Sequence, residues 1–379
     1  MPGAQADVVV IGGGVRGCSA AYHLAKRGVQ VTLIEKDGIA SGCSGATFAL
    51  INISHKDPAP YAALSLESAR LFAGLEEELG EGLDFRPDGN MSSLVENESE
   101  LPGLAQFIER QNQVPGLKLE LLSPDEARRL EPALTPNILG ACFCAQDGHI
   151  NPYKLTLGYA RAARRYGANI LTGTKVTGIE LDHNRVRAVV TDRGRILTDT
   201  LVVAAGIHMP DIGRMIGLTI PVVPSRGQVI TTERTRRVLN RPVGSLRQTD
   251  DGTVIIGVTY QFVGPDLRVV YDDMTRNAHR ALRLFPGLSH LNVIRLWAGL
   301  RPFTVDGLPI LGPVGHLQHV YLATGHSGMT LAQVTGKVIS DLVTTGSTPV
   351  PIQEFTVERY SSVRYKFAMS AYQRWQSAA

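Results

Sequence analysis

Asp7-Val8-Val9-Val10-Ile11-Gly12-Gly13-Gly14-Val15-Arg16-Gly17 opens a segment that runs through Gly28 to Val31-Thr32-Leu33-Ile34-Glu35-Lys36. Residues 7–11 are a short β-branched run of the kind that forms a strand buried on both faces. Gly12-Gly13-Gly14-Val15-Arg16-Gly17 follows at once and fits G-x-G-x-x-G. A helix-length stretch then reaches Gly28, well placed as a C-terminal cap. Residues 29–34 give a second strand with Glu35 at its end. The glycines of such a motif serve a tight turn, a close pyrophosphate approach and close helix–strand packing. The helix N-terminus turns its N–H groups toward an anion. Glu35 lies 18 residues beyond Gly17, where a carboxylate accepts hydrogen bonds from a ribose diol. A bare G-x-G-x-x-G also suits an ordinary βαβ turn. Here strand, helix, second strand and acid agree on a dinucleotide site formed by Gly12, Gly14, Val15, Arg16, Gly17, Glu35 and Lys36.

At 379 residues the chain is long enough for two domains. Its 44% hydrophobic and 19% charged content is that of a globular protein. A net charge of +3 with scattered Lys and Arg gives no nucleic-acid stripe or polybasic anchor. No apolar run approaches the roughly 20 residues that span a bilayer. The first strand begins within a few residues and no export signal precedes it, so a cytoplasmic location is expected. Cys18, Cys43, Cys142 and Cys144 are expected to be reduced structural thiols. Cys142-Phe143-Cys144 has no partner pair for zinc, so no metal site is expected.

Beyond Glu35, Ser41, Ser44, Gly45, Ala46 and Thr47 form a loop of small and hydroxyl residues suited to an extended cofactor. Residues 61–82 read as one amphipathic helix with Leu64, Ala69, Phe72, Leu75 and Leu79 on a stripe. From 85 to about 143 turn signals interrupt the pattern, an excursion into a second domain. Ser123-Pro124-Asp125-Glu126 is a capping box with proline at the first helical position. A helix is expected within 148–167 and short strands over 168–206, the last running into Ala205-Gly206. Residues 222–297 are strand-like with a helix over 276–285. Residues 298–312 and 320–325 are extended, and 329–343 reads as a helix with Leu331, Val334, Val338 and Leu342 on one face.

The N-terminal fingerprint, residues 201–206 and Ala323-Thr324-Gly325-His326-Ser327-Gly328-Met329 together resemble the FAD-dependent amine and amino-acid oxidoreductases. This is the family of glycine oxidase, D-amino-acid oxidase and sarcosine oxidase, and the resemblance spans about 6–345. The chain is equally similar to the FAD-bearing subunits of heteromeric sarcosine oxidases and of proline, hydroxyproline and opine dehydrogenases.

The resemblance implies an α/β fold: a Rossmann-like FAD domain with a parallel sheet and a β-meander, and a substrate domain on a large antiparallel sheet. The FAD domain would comprise 1–84, 145–215 and 298–379, and the substrate domain 85–144 and 216–297. It also implies cofactor contacts at Val176, Ala205 and Gly206, and a flavin ring beside Gly325, His326, Ser327, Gly328, Met329 and Thr330. The positive end of the following helix would face the negative charge of reduced flavin there. His326 serves either through its backbone or as a base. Arg301, in Gly299-Leu300-Arg301-Pro302-Phe303, matches an arginine that holds the substrate carboxylate in relatives; its fork suits bidentate binding beside the flavin. Ser245 stands where glycine oxidase has a carboxylate-binding tyrosine, so Tyr260 and Arg247, with Ser327, are the remaining substrate contacts. Arg226 reads as structural. Gly299 stands where some relatives carry a flavin-tethering cysteine, so FAD is expected to be non-covalent.

The expectation is an FAD-dependent oxidation of the Cα–N bond of an amino acid by hydride transfer to flavin N5. The donor would be a secondary amine (proline, hydroxyproline, sarcosine or an opine), and the chain the FAD subunit of a heteromeric dehydrogenase. Such complexes sometimes hold a second flavin, FMN, at a subunit interface. The alternatives are a free-standing glycine or D-amino-acid oxidase and a flavin-binding assembly subunit. The cysteines offer no iron–sulfur run.

Overall fold

The computed structural model describes residues 4–361. Residues 1–3 and 362–379, the two outer ends of the expected FAD domain, lie outside the described residues.

Six strands build the central sheet, five of them parallel. β1 (Val8–Ile11) pairs with β2 (Val31–Ile34) on one side and β4 (Thr200–Val203) on the other; β2 continues to β3 (Asn169–Leu171). Beyond these, β7 (Ile310–Pro313) and β8 (Val320–Thr324) form the far edge, with β8 parallel to β4 and β7 antiparallel to it. All four residues of β1, β2 and β4 are buried, as continuous Val/Ile/Leu runs require when both faces are covered. Helix α1 (Val15–Lys26) packs on this sheet, and Gly28 follows it at φ 82°.

The strand-rich span of 168–206 includes a meander, Val176–Asp182, Arg185–Thr191 and Gly194–Leu197, which Ala4–Gln5 joins as a parallel fourth strand. A second antiparallel sheet carries β5 (Val222–Arg234) and the edge strand β6 (Val293–Thr304), with Leu246–Gln248 and Thr253–Ile256 beyond β5. Asn90–Val95, Gly140–Cys144 and Glu120–Leu122 form a three-stranded sheet, bridged to this one through Met91 and Val243.

Several helices differ from the sequence reading. The single helix expected over 61–82 is two, α2 (Ala59–Arg70) and Leu75–Leu79, broken at Gly74, which adopts φ 79°. The helix expected over 276–285 is Tyr271–Leu284; Asp272 and Asp273 favour its first turn, an electrostatic signal that apolar spacing does not carry. The helix expected over 329–343 is α3 (Ala332–Thr345), so residues 327–330 form a separate turn ahead of it. Within 148–167 the helix is Pro152–Arg165, capped by the Asn151 side chain. The Ser123 capping box forms as expected, with Glu126 reaching back to Ser123. No helix among the described residues is long and apolar enough to cross a membrane.

Candidate active site

At the carboxyl end of β1 the chain turns through Gly12, at φ 115°, where a Cβ would fall 2.4 Å from the Ala204 carbonyl oxygen. Only glycine fits that approach. Gly17 presses on the same turn: a Cβ there would meet the Gly12 oxygen at 2.0 Å. Glu35, at the end of β2, accepts the Gly13 N–H at 2.7 Å and the Asp37 N–H at 2.9 Å. Ser44 Oγ accepts the Val15 N–H at 3.0 Å and so satisfies one of the orphan donors at the start of α1. The fingerprint, Glu35 and the 40–47 loop therefore form one cradle. Gly14 is also within it, 3.1 Å from Ser44 Oγ when given a Cβ. Val176 packs in the same cluster as Ile11, Ile34 and Ala205, and Gly206 follows β4 at φ 56°. Lys36 turns away to Asp37 at the surface. Ser41 is exposed, whereas Gly45 packs against the Ala40 carbonyl and Tyr153.

Arg16 joins this cradle to the C-terminal turn. Its guanidinium donates to Thr335 Oγ1 at 3.1 Å and to the His326 carbonyl at 2.9 Å, while its Nε is buried without a partner. Burial lowers its pKa to about 10. In the turn itself Gly325 has φ 113° and Ser327 φ 61°. Ser327 Oγ bonds His326 Nδ1 at 3.0 Å, and the Leu331 N–H returns to the Ser327 carbonyl. Met329 is buried; Gly328 approaches Val15. Thr330 Oγ1 accepts the Asn52 N–H at 3.0 Å.

The His326 ring stacks on Phe303, with centroids 4.6 Å apart and planes at 22°. Its pKa is held well below the ordinary value, first by burial and then by the positive charges of Lys56, Arg301 and Arg16. The imidazole is therefore neutral, and its carbonyl is fixed by Arg16.

Strand β6 places Arg301 opposite Ser225 of β5, and Gly227 lies diagonally across. A Cβ on Gly227 would fall 2.1 Å from an Arg301 guanidinium nitrogen, so the side chain crosses the sheet over that glycine. There it donates to the Thr259 carbonyl at 2.8 Å and lies 4.3 Å from the Tyr260 ring centroid. Among the described residues no carboxylate pairs with it. Tyr260 also meets Phe303 and His326 edge-on, at 6.1 and 6.4 Å. Arg301, Tyr260, His326 and Ser327 thus converge.

Arg247 does not join them. Its Nε is taken by the Phe48 carbonyl at 2.5 Å, and Nη1 lies 3.3 Å from His149 Nδ1. It lines a separate cavity of about 170 Å³ with Thr47, His149, Asp250 and Trp297. A larger cleft of about 970 Å³ along Ala4–Gln5, Thr32 and Asn169 touches none of Arg301, Tyr260 or His326. Arg226 is buried and bonded to Asp266, Gln261 and the Arg268 carbonyl, which suits a structural role.

Two neighbours of the converging group were not read from sequence. Lys56 is 5% exposed, donates to Asn52 Oδ1 at 2.8 Å and lies 5.7 Å from the Tyr61 ring centroid. Tyr61, also 5% exposed, has a buried hydroxyl beside Ser327 and Arg16. The signal for Lys56 was a lysine close behind the apolar Ile51-Asn52-Ile53 run and ahead of Asp57-Pro58; Tyr61 was read only as one end of an amphipathic helix.

The chain belongs to the DAO family of FAD-dependent oxidoreductases, whose family model matches residues 7–342. It is an oxidoreductase of the amino-acid oxidase and dehydrogenase type. It is 30% identical to hydrogen cyanide synthase subunit HcnC of Pseudomonas aeruginosa, over 96% of this chain and 99% of that one. It is also 30% identical to an opine oxidase subunit of Agrobacterium tumefaciens, over 94% and 98%. Among solved structures, L-proline dehydrogenase from P. horikoshii superimposes with a TM-score of 0.88 at 29% identity, covering 95% of this chain and 98% of that one. Glycine oxidase from Geobacillus kaustophilus does so at 0.89 and 28%, covering 94% and 99%. The mixed α/β fold with its several sheets is the fold of these neighbours.

Proposed function

We propose that the chain oxidises the Cα–N bond of an amino acid bearing a secondary amine, as the FAD-bearing subunit of a heteromeric dehydrogenase. The observation that carries this reading is Arg301: a guanidinium held by a carbonyl and a tyrosine ring, uncompensated by any carboxylate among the described residues, beside the 325–330 turn. An α-carboxylate supplies the missing charge in bidentate form. The residues that fit the cofactor are the Gly12–Gly17 turn and the first turn of α1 for the pyrophosphate, Glu35 for the ribose, and residues 325–330 for the ring. FAD, when bound, supplies the acceptor for the Cα–H electron pair and its hydrogen. Arg301 and Tyr260 fix the carboxylate and so direct the Cα–H; Phe303 and the neutral His326 ring wall the site against water. The amine enters unprotonated, its lone pair forms the C=N bond as the Cα–H pair leaves, and the resulting iminium is released and gives its N–H proton to water. No side-chain base is assigned, and His326 acts through its backbone.

The cofactor is read as non-covalent, because a Cβ at Gly299 would lie 2.7 Å from Ala46 Cβ and leaves no room for a tethering side chain. The two-domain division given above remains part of this reading, as does a cytoplasmic setting, which four unbridged cysteines suit. A second flavin would be a matter for the partner subunit. The subunit role draws on the relatives that are themselves named as subunits, and the secondary amine on the opine oxidase subunit and L-proline dehydrogenase. The likeness to glycine oxidase favours the second reading, a free-standing oxidase. Turnover with oxygen and with a dye acceptor, on the isolated chain and on the natively purified complex, separates them. Slow oxygen and fast dye turnover, with a co-purifying subunit, is expected; rapid peroxide production by a pure homo-oligomer restores the oxidase. A chain that holds FAD but turns over only when its partner is present would be an assembly subunit.

A further inference from the structure

Lys56 is a buried ammonium with no carboxylate in ion-pair contact among the described residues. Asp147 is the opposite charge that acts on it, yet that carboxylate is occupied elsewhere. It accepts the Ile53 N–H at 2.6 Å, the Ser54 N–H at 3.2 Å, the Ser54 hydroxyl at 2.6 Å and the amides of Asn52 and Asn90 at 3.2 and 3.3 Å. Asn52 therefore stands between the two: its Nδ2 is committed to Asp147 and its Oδ1 receives Lys56 Nζ at 2.8 Å. Held by that bridge, the ammonium lies 5.7 Å from the ring centroid of Tyr61, whose buried hydroxyl stands beside Ser327.

Tyr61 leads back to the site. It lies close enough to Ser327, Arg16 and Tyr260 to feel each of them. Lys56 and Arg301 both act electrostatically on the His326 ring from their separate positions. With Arg16, three cations act on that ring, Lys56 and Arg16 buried and Arg301 partly buried, and none has an ion-pairing carboxylate among the described residues; Arg16 is held instead by Thr335 and the His326 carbonyl. A buried charge left so is strongly unfavourable, and the natural remedy is a bound anion. Arg301 accounts for one carboxylate.

We propose that Lys56, with the Tyr61 hydroxyl, is a second carboxylate-binding subsite, so that the substrate is an amino acid carrying two carboxylates. This rests on the reading of the site as an amino-acid oxidoreductase. N-carboxyalkyl amino acids are the members of that class that also meet the secondary-amine reading.

The test uses the FAD-loaded protein and two pairs of probes. Thiodiacetate and methylthioacetate have sulfur in place of the amine and cannot yield an imine; their binding is read from the flavin absorption spectrum. Thiodiacetate should bind at least about tenfold more tightly, the effect of one charge-assisted hydrogen bond. Lys56→Met should erase that preference while leaving methylthioacetate binding within about threefold, and Lys56→Arg should restore part of it. Iminodiacetate should likewise reduce the flavin more efficiently than sarcosine, and Lys56→Met should remove the difference. Equal affinity for the two thioethers in the unaltered protein overturns the subsite. So does an equal loss of both in Lys56→Met with FAD retained, which would assign Lys56 to the flavin instead. If thiodiacetate is preferred but no amine reduces the flavin, the subsite stands and the oxidation reading fails.

Discussion

The Arg16 guanidinium donates to the His326 carbonyl oxygen at 2.9 Å, joining the first helix to the last site turn across 310 positions of sequence. The same side chain bonds Thr335 on α3. One arginine thus ties the nucleotide cradle to the turn assigned to the flavin ring. Arg16→Leu should lower the unfolding free energy by about 1–3 kcal/mol, since the His326 carbonyl and Thr335 hydroxyl are left buried and unpaired. It should also weaken FAD retention. Urea unfolding of the variant measures the first effect, and an unchanged midpoint would remove Arg16 from this role.

Glu35 closes the glycine turn through the Gly13 N–H and stands at the end of β2. Glu35→Ala should raise the FAD dissociation constant roughly ten- to a hundredfold, as for a lost hydrogen bond to a charged acceptor worth about 1.5–3 kcal/mol. Titration of apoprotein followed by flavin fluorescence gives the value. Wild-type affinity would mean that the ribose is held elsewhere.

Gly227 makes room for the Arg301 guanidinium. Gly227→Ala should fold normally, because the atom displaced is the end of a flexible side chain, yet KM for the amino acid should rise as the guanidinium is pushed off Tyr260. Arg301→Lys should cost kcat/KM about ten- to a hundredfold, because an ammonium cannot make the two-pronged contact. Steady-state kinetics on both variants, with melting temperatures as the control for folding, settles the matter. Normal KM in both would dismiss Arg301 as the carboxylate anchor.

Gly299 lies against Ala46 with no space for a larger residue. Acid or heat should therefore release one FAD per chain without proteolysis, and Gly299→Ala should destabilise the fold by about 1–3 kcal/mol through overpacking. Flavin absorbance that stays with the denatured polypeptide would contradict the non-covalent reading.

Burial lowers the pKa of His23 to about 4 and of His149 to about 3, and places His326 well below its ordinary value. In the unfolded chain each takes up a proton near pH 6.5, whereas the folded protein does not, so their stabilising effect is complete above pH 6.5. It is lost as pH falls from 6.5 toward the folded values. Each histidine should contribute up to about 1.4 kcal/mol per pH unit to the slope of stability between pH 6 and pH 4.5. His149→Gln should reduce that slope by one such increment. A slope that the substitution does not change would show that His149 protonates equally in both states.

The first βαβ unit was legible because its information is local. A buried parallel strand needs a continuous β-branched run, Gly12 must accept a positive φ, and Glu35 must end the second strand; each requirement falls on neighbouring residues. The Ser123 capping box was legible for the same reason, as was the family resemblance carried by residues 323–329. The broken helix at Gly74 was not, because α2 and the short helix after it keep a common apolar stripe across the break. The start of α3 was misplaced by three residues for a related reason: residues 327–330 hold a helix-compatible pattern, but Ser327 takes φ 61° and Thr330 is bonded to the 50–52 segment.

The sequence by itself determined the α/β class, the dinucleotide cradle, the FAD-dependent oxidoreductase family and the candidates Arg301, Tyr260 and His326. Only the tertiary structure decided which of these meet. It set Arg301 over Gly227 and against Tyr260, stacked His326 on Phe303, and sent Arg247 to a different cavity with His149. It also brought Lys56 and Tyr61, distant from Arg301 along the chain, to the same ring of side chains. The reason is physical: strand and helix signals repeat over a few residues, whereas a pocket is made where separate elements cross, and the burial that unmasks an unpaired charge belongs to the packed molecule alone.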